Sequence, residues 1–295
     1  ELQSSRNYVN FSTMKISLAQ ISPHLGNIEK NLKLHEDYIQ KAKEEKAEII
    51  IFPELSLTGY SLQDQVEQTA VYPSAHPVFQ RLKELSRKIS IIVGFVEEKE
   101  KGLYYNSSAY LSKGKIIHIH RKVFLPTYGM FEEAKFFCEG KNFNIFPTPL
   151  GNGGMMICYD FLHYGACYLL MAGKADIIFV LSAAPGRGIS GKSRFESSHM
   201  WELMGEAISR FSTAFVIYCN RVGFEDGKTF AGGSFVYNPG GKLLAKAAYI
   251  DEDFISVDLQ EEDLRDTRNV LHYRRDTKPE IILQALKRIV HNYED

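Results

Sequence analysis

Short runs of apolar and β-branched residues recur along the chain, with longer one-sided stripes between several of them. The runs Lys15–Ile21, Ala47–Phe52, Ile89–Val96, Tyr104–Leu111, Lys115–His120, Gly154–Ile157, Ala175–Leu181, Phe215–Asn220, Ser234–Tyr237 and Phe254–Val257 have the length and make-up of strands. Ile28, Leu32, His35, Ile39 and Ala42 recur at steps of four and three, which places them on one face of a helix over Asn27–Lys46. His76–Lys88, Leu162–Ala172, Ser198–Ser212 and Pro279–His291 also carry helical patterns. Strand–helix alternation predicts sheets covered by helices, an α/β layered fold. Ser112-Lys113-Gly114 and Asn238-Pro239-Gly240-Gly241 read as turns between adjacent strands, so the sheets are expected to be mixed.

No linker-like stretch, repeat or composition shift interrupts this pattern. One domain over residues 14–295 is therefore expected, preceded by a leader or loose extension over 1–13 that has no apolar core. Of the 295 residues, 44% are hydrophobic and 24% charged, ordinary for a chain that buries a large core. A formal net charge of −1 gives no electrostatic case for nucleic acid or an anionic membrane as partner. No apolar run approaches the roughly 20 residues of a membrane helix. The four cysteines lack Cys-x-x-Cys spacing, and a reducing cytoplasm is the expected location.

Three segments end a strand on residues that carry chemistry. In Ile51-Phe52-Pro53-Glu54 a buried strand stops at a carboxylate, because Pro53 cannot continue the ladder. In His120-Arg121-Lys122 a strand ends at a lysine, with the acidic pair Glu132-Glu133 a short loop later. In Met155-Met156-Ile157-Cys158-Tyr159-Asp160 a strand gives way to helical pattern at a cysteine, where helix N-terminal amides can lower a thiol's pKa and hold an oxyanion. Taken singly, Glu54 and Lys122 read as solvated loop residues and Cys158 as an inert core thiol. Taken together, and with the acidic pair, the two kinds of carboxylate, the lysine and the cysteine supply a nucleophile, a base, a cation for an oxyanion and an acid for a departing amine, with no metal or cofactor required.

The order Phe-Pro-Glu, Arg-Lys, Phe-x-Glu and Ile-Cys-x-Asp resembles the nitrilase (carbon–nitrogen hydrolase) superfamily, and the likeness runs from Met14 through Trp201, Asn220-Arg221-Val222-Gly223 and the Pro239-Gly240-Gly241 turn. The resemblance implies an αββα sandwich with Glu54 as general base, Cys158 as nucleophile, Lys122 as the oxyanion-side cation and Glu133 as a second acid. It implies the Tyr159 amide as a further oxyanion donor. The stretches Leu125–Glu133, Leu181–Pro185 and Phe230–Phe235 are similar to the glutaminase domains of NAD synthetases, where residues matching Tyr128 and Ser182 lie near the amide. Cys-Tyr-Asp, by contrast, is more typical of free-standing amidases and carbamoylases. The expected activity is thus hydrolysis of a small primary amide through a thioester. Glutamine hydrolysis supplying ammonia to a separate synthetase, and N-carbamoyl hydrolysis, stand as alternatives. Arg187 is a candidate for pairing with a substrate carboxylate, or simply a loop arginine.

Three other features compete for attention. Gly186-Arg187-Gly188-Ile189-Ser190-Gly191-Lys192-Ser193 matches a phosphate-loop pattern, whose distant implication is nucleotide binding; without the surrounding core it reads as a glycine-rich loop. His118 and His120 share one strand face and are expected to be a polar face, not a metal pair. The run Leu162–Met171 is apolar nearly all round; in the resembling superfamily this element packs across a dimer, so a homodimer or higher oligomer is expected.

Overall fold

A computed structural model describes residues 12–188 and 195–291. Among them, twelve strands form two mixed six-stranded sheets. The first has the order β14 (Asp253–Gln260), β1 (Thr13–Gln20), β2 (Ile49–Ile51), β3 (Ser90–Glu100), β4 (Leu103–Ser112), β5 (Lys115–Arg121). The second runs β13 (Leu243–Lys246), β12 (Phe235–Tyr237), β9 (Phe215–Asn220), β8 (Ile177–Ser182), β7 (Gly151–Ile157), β6 (Ile145–Thr148). A small hairpin, β10 (Phe224–Glu225) and β11 (Lys228–Thr229), lies outside both. The helices are α1 (Ile28–Glu44), α2 (Val66–Thr69), α3 (Pro77–Leu85), α4 (Glu133–Phe136), α5 (Tyr164–Ala172), α6 (Glu196–Ser212), α7 (Glu261–Val270), α8 (Tyr273–Asp276) and α9 (Pro279–His291).

Side-chain alternation assigns the faces. Ile16, Leu18, Ile49, Ile51 and Ile92 of the first sheet pack against Met155, Phe179, Leu181, Phe215 and Ile217 of the second. The intervening positions Ile50, Ile91 and Val93 turn outward and bury Ile39, Val78 and Leu82 of α1 and α3. On the second sheet, Met156, Ile178, Val180 and Tyr218 turn outward under Ala166 and Leu170 of α5 and Trp201 and Ile208 of α6. The layers are helix, sheet, sheet, helix, the expected αββα sandwich.

Strand direction decides where chemistry collects. β1, β2 and β3 are parallel, as are β7, β8 and β9. β5 is reached from β3 by two antiparallel steps, so it points the same way. Within each sheet the loops that follow these strands therefore leave at one common edge, where α/β folds place their ligands. Glu54 follows β2, Lys122 follows β5 and Cys158 follows β7. Gly94 in β3 lets the Glu54 turn sit flat on the sheet: a Cβ there would lie 2.4 Å from the Leu55 nitrogen and 2.6 Å from the Pro53 carbonyl.

Residues 1–11 of the expected leader lie outside the described residues, and Thr13 belongs instead to β1, paired with Gln260. The phosphate-loop pattern falls partly outside them as well. His118 and His120 share no cluster of three or more metal-binding side chains among the described residues, and neither is freely solvated. His118 stacks on Phe146 at 4.7 Å between ring centres, and His120 is buried against Asp160. No helix among the described residues is long and apolar enough to cross a membrane.

Candidate active site

Lys122 is the hub of a buried ionic cluster. Its Nζ donates to Glu54 Oε1 at 2.7 Å and to Glu133 Oε1 at 2.7 Å, and all three side chains are almost wholly inaccessible. Burial alone would lower the ammonium's pKa, but Glu133 and Glu54 outweigh it and hold the charge firmly in place. Glu54 is fixed further by Asn106 Nδ2, which donates to Oε1 at 2.8 Å, and by the Ala183 amide, which donates to Oε2 at 2.7 Å. A carboxylate offers about four lone-pair directions. Three are used here, which leaves one for a proton in transit.

Glu133 opens the short helix α4. Its Oε1 also accepts from the Tyr60 hydroxyl at 2.6 Å, while its buried Oε2 has no partner among the described residues. Burial raises the Glu133 carboxyl to about 7, against the pull of Lys122 and with a push from Glu54. The two glutamates thus differ: Glu54 accepts from three donors, whereas Glu133 keeps an oxygen without a partner among the described residues and is raised to about 7.

Cys158 lies at the end of β7 with φ of 47°, in the left-handed region that a non-glycine residue occupies at some cost. This kink turns the thiol back toward the cluster, within electrostatic reach of Glu54, Lys122 and Glu133. The sequence context suggests a thiol activated by helix amides, yet the structure places it otherwise. A tight 3-10 turn, Cys158–Leu162, intervenes before α5, and burial, reinforced by Glu54, pushes the thiol up despite Lys122 and Ser182. At rest the sulfur carries its proton. Glu54 is the carboxyl with the largest electrostatic influence on it.

Asp160 ties the cysteine turn to the lysine strand. Its Oδ1 accepts from the Val123 and Phe124 amides at 3.0 and 2.9 Å, and its Oδ2 from the Ile157 amide at 3.1 Å and meets His120 Nε2 at 2.9 Å. One fully buried carboxylate therefore sets the spacing between Lys122 and Cys158. Asp160→Ala orphans three amides and an imidazole at once. Because breaking a buried charged network costs about 3–5 kcal/mol, urea unfolding should show a loss of that order together with a large fall in activity. A loss below about 1 kcal/mol would show that Asp160 is not the tie.

A small pocket of about 80 Å³ opens onto the sulfur, lined by Tyr128, Phe131, Cys158, Tyr159, Arg187 and Trp201 among others. Tyr128 is half exposed on its rim, and the Arg187 guanidinium lies 5.0 Å over the Phe131 ring. Ser182 does not line the open pocket; it is fully buried behind the sulfur, where its Oγ accepts from the Tyr218 hydroxyl at 3.0 Å. Three further contributors, Asn106, Tyr60 and Glu225, are not singled out by the sequence reading, and Arg221 stands there only as part of the Asn220-Arg221-Val222-Gly223 stretch. Glu225 Oε2 accepts from the Tyr60 and Ser61 amides, each at 3.0 Å, and its Oε1 pairs with buried Arg221 at 2.5 Å, so this ion pair fixes the loop that carries Tyr60. Tyr60 left a signal in closing the loop that begins at Glu54, and Arg221 one in its motif; Asn106 and Glu225 left none.

The fold and this cluster together define a class. A family model described as carbon-nitrogen hydrolase matches residues 15–269. The chain belongs to the carbon–nitrogen hydrolase family. A glutamine-dependent NAD(+) synthetase of Acinetobacter baylyi is 32% identical over 241 residues, which is 82% of this chain but 43% of the relative. This chain spans less than half the length of that relative and of the other glutamine-dependent NAD(+) synthetases it matches. A protein of Schizosaccharomyces pombe named as a probable nitrilase is 27% identical over 92% of this chain and 98% of its own length. The crystal structure of a carbon-nitrogen hydrolase from Helicobacter pylori shares the fold, with a TM-score of 0.79 at 24% identity over 94% of this chain and 99% of that one.

Proposed function

We propose that this chain hydrolyses a small primary amide to a carboxylic acid and ammonia through a thioester on Cys158. The observation that carries this reading is the Lys122 ammonium held between two inequivalent carboxylates beside a buried, protonated thiol. Glu54 takes the thiol proton as the sulfur attacks the amide carbon. The tetrahedral oxyanion is met by Lys122 and by the Tyr159 amide, which heads the turn after Cys158 where no acceptor within the turn is available. Such a donor contributes about 3–4 kcal/mol. Glu54 then gives the proton to the leaving nitrogen, and ammonia departs. Water, deprotonated by Glu54 and positioned by Glu133, cleaves the thioester and restores the thiol.

The pocket's size supports a small acyl group, and Arg187 on its wall supports one that carries a carboxylate. Glutamine satisfies both conditions, and the identity with glutamine-dependent NAD(+) synthetases favours it as the second reading, with ammonia passed to a separate synthetase. An ammonia-release screen over small aliphatic amides, glutamine, N-carbamoyl amino acids and nitriles separates these readings. We expect release from an amide; activity confined to nitriles or carbamoyl compounds would overturn the proposal.

We also propose that the chain works as a homodimer or larger assembly. Tyr164 and Leu169 of α5 are exposed beside Leu203 and Phe211 of α6, an apolar surface on the outer layer. Light scattering should give at least twice the mass of one chain, and a monomer would contradict the reading.

A further inference from the structure

Tyr218 sits on β9, one strand over from Ser182 and two from Cys158. The register pairs Val180 with Tyr218 and Ile157 with Leu181, so the ends of β7 and β8 lie side by side. Val180 and Tyr218 turn to the helix-covered face; Ser182, two residues beyond Val180, turns the same way. The left-handed Cys158 brings its sulfur to the end of this row. Tyr218 is buried and its ring is clamped between Trp201 at 5.3 Å and Phe235 at 4.7 Å, both stacked. Its hydroxyl has one direction left to use, and it donates to Ser182 Oγ at 3.0 Å.

We propose that Tyr218 is a positioning residue for the nucleophile: by donating to Ser182 Oγ it leaves the serine's own proton to be donated to Cys158 Sγ as negative charge builds there. The inference rests on the reading of Cys158 as the nucleophile. A serine hydroxyl has one proton and two acceptor sites, so a donor on one side fixes what the hydroxyl offers on the other. Burial, followed by the neighbouring Cys158, keeps the phenol far above its ordinary pKa, so it stays a donor throughout the working pH range. A chain of two donors in a dry site also strengthens each bond. The other groups facing the sulfur are Glu54 and Glu133, which oppose its ionisation, and Lys122, which favours it. Tyr60 and Tyr128 lie close enough to feel its charge. Ser182 is the one of these hydroxyls in hydrogen-bonding relation to the sulfur, and Tyr218 is what orients it.

The test is the pH dependence of Cys158 alkylation by iodoacetamide, followed at the Cys158 peptide by mass spectrometry, so that it reads the thiol and not turnover. Tyr218→Phe keeps the stacked ring and removes only the donor. We expect its alkylation profile to move to higher pH by about one unit, which lowers the rate about tenfold on the rising limb. Ser182→Ala should move it in the same direction, and adding Tyr218→Phe to Ser182→Ala should change the rate less than twofold. An unshifted profile in Tyr218→Phe, or full additivity with Ser182→Ala, would overturn the proposal. Should the phenylalanine variant not fold, 3,5-difluorotyrosine at position 218 supplies a more acidic phenol. The profile should then move to lower pH, and no movement would again count against it. The failure of the thioester reading shows elsewhere, as ammonia release by Cys158→Ala, and the two failures are therefore distinguishable.

Discussion

Cys158→Ala should leave a folded protein with no measurable ammonia release from any amide the wild-type chain turns over. The reason lies in what remains after the sulfur is gone. Glu54, Lys122 and Glu133 keep their mutual bonds, since none of those hydrogen bonds runs through the thiol. The cluster could still polarise a carbonyl and still hold a water. Direct attack by water on an unactivated amide forfeits the covalent step, however, and loss of the nucleophile in a serine protease costs on the order of 10⁶ in rate. Stability should change little, because the removed atom is a single sulfur at the edge of a pocket. Ammonia release by purified Cys158→Ala within tenfold of wild type would remove the thioester mechanism.

Lys122→Met should damage both activity and stability. Methionine fills much of the same volume, so packing is nearly conserved. The charge is not. Glu54 and Glu133 would face each other without the ammonium that bridges them at 2.7 Å on each side. Breaking a buried ion pair by deleting one partner costs about 3–5 kcal/mol, and loss of one oxyanion donor lowers turnover by roughly 10²–10³. The loss of stability should also depend on pH in a defined direction. Glu133 is raised from 4.5 to about 7 in the folded protein. The stability this proton contributes is full below 4.5 and is lost as pH rises through about 7. Lys122 pulls that carboxyl down, so removing it extends the window upward and the variant should weaken progressively into the alkaline range. A variant as stable as wild type at pH 8 to 9 would show that the two carboxylates do not depend on the lysine.

The strands that build the two sheets are legible in sequence where both faces are buried. Ile49–Ile51, Ile177–Ser182 and Phe215–Asn220 are inaccessible throughout and read as continuous apolar runs. The edge strands of the second sheet are not, although β5 and β14 at the edges of the first are. β6 contains Pro147 and β13 begins with an exposed Leu243, so neither carries a pattern that stands out from a loop. Helix α7 escapes for a similar reason: Leu264 is its one buried residue, and the rest is mostly charged or polar. Glu54, Lys122 and Cys158 are legible because each sits where an apolar run stops, and Glu133 through the Phe-x-Glu motif that follows. The residues that hold them are hidden by ordinary surroundings. Tyr218 lies within a buried strand and reads as core, and Asn106 reads as one more polar position on a strand. Asp160 is visible in the Ile-Cys-x-Asp motif, but nothing in its spacing tells that it spans to Val123, Phe124 and His120. Those contacts join segments about forty residues apart, and only the folded chain brings them together.

A covalent acyl group on the sulfur is the most direct sign of the chemistry argued here. Wild-type protein should be mixed with an amide that it turns over, quenched in acid within the first turnovers, digested, and weighed peptide by peptide. The expected product is the peptide containing Cys158 heavier by the acyl group, with Cys138, Cys167 and Cys219 unmodified. Sustained ammonia release with Cys158 never found acylated, even when thioester cleavage is slowed, would contradict the account at its centre.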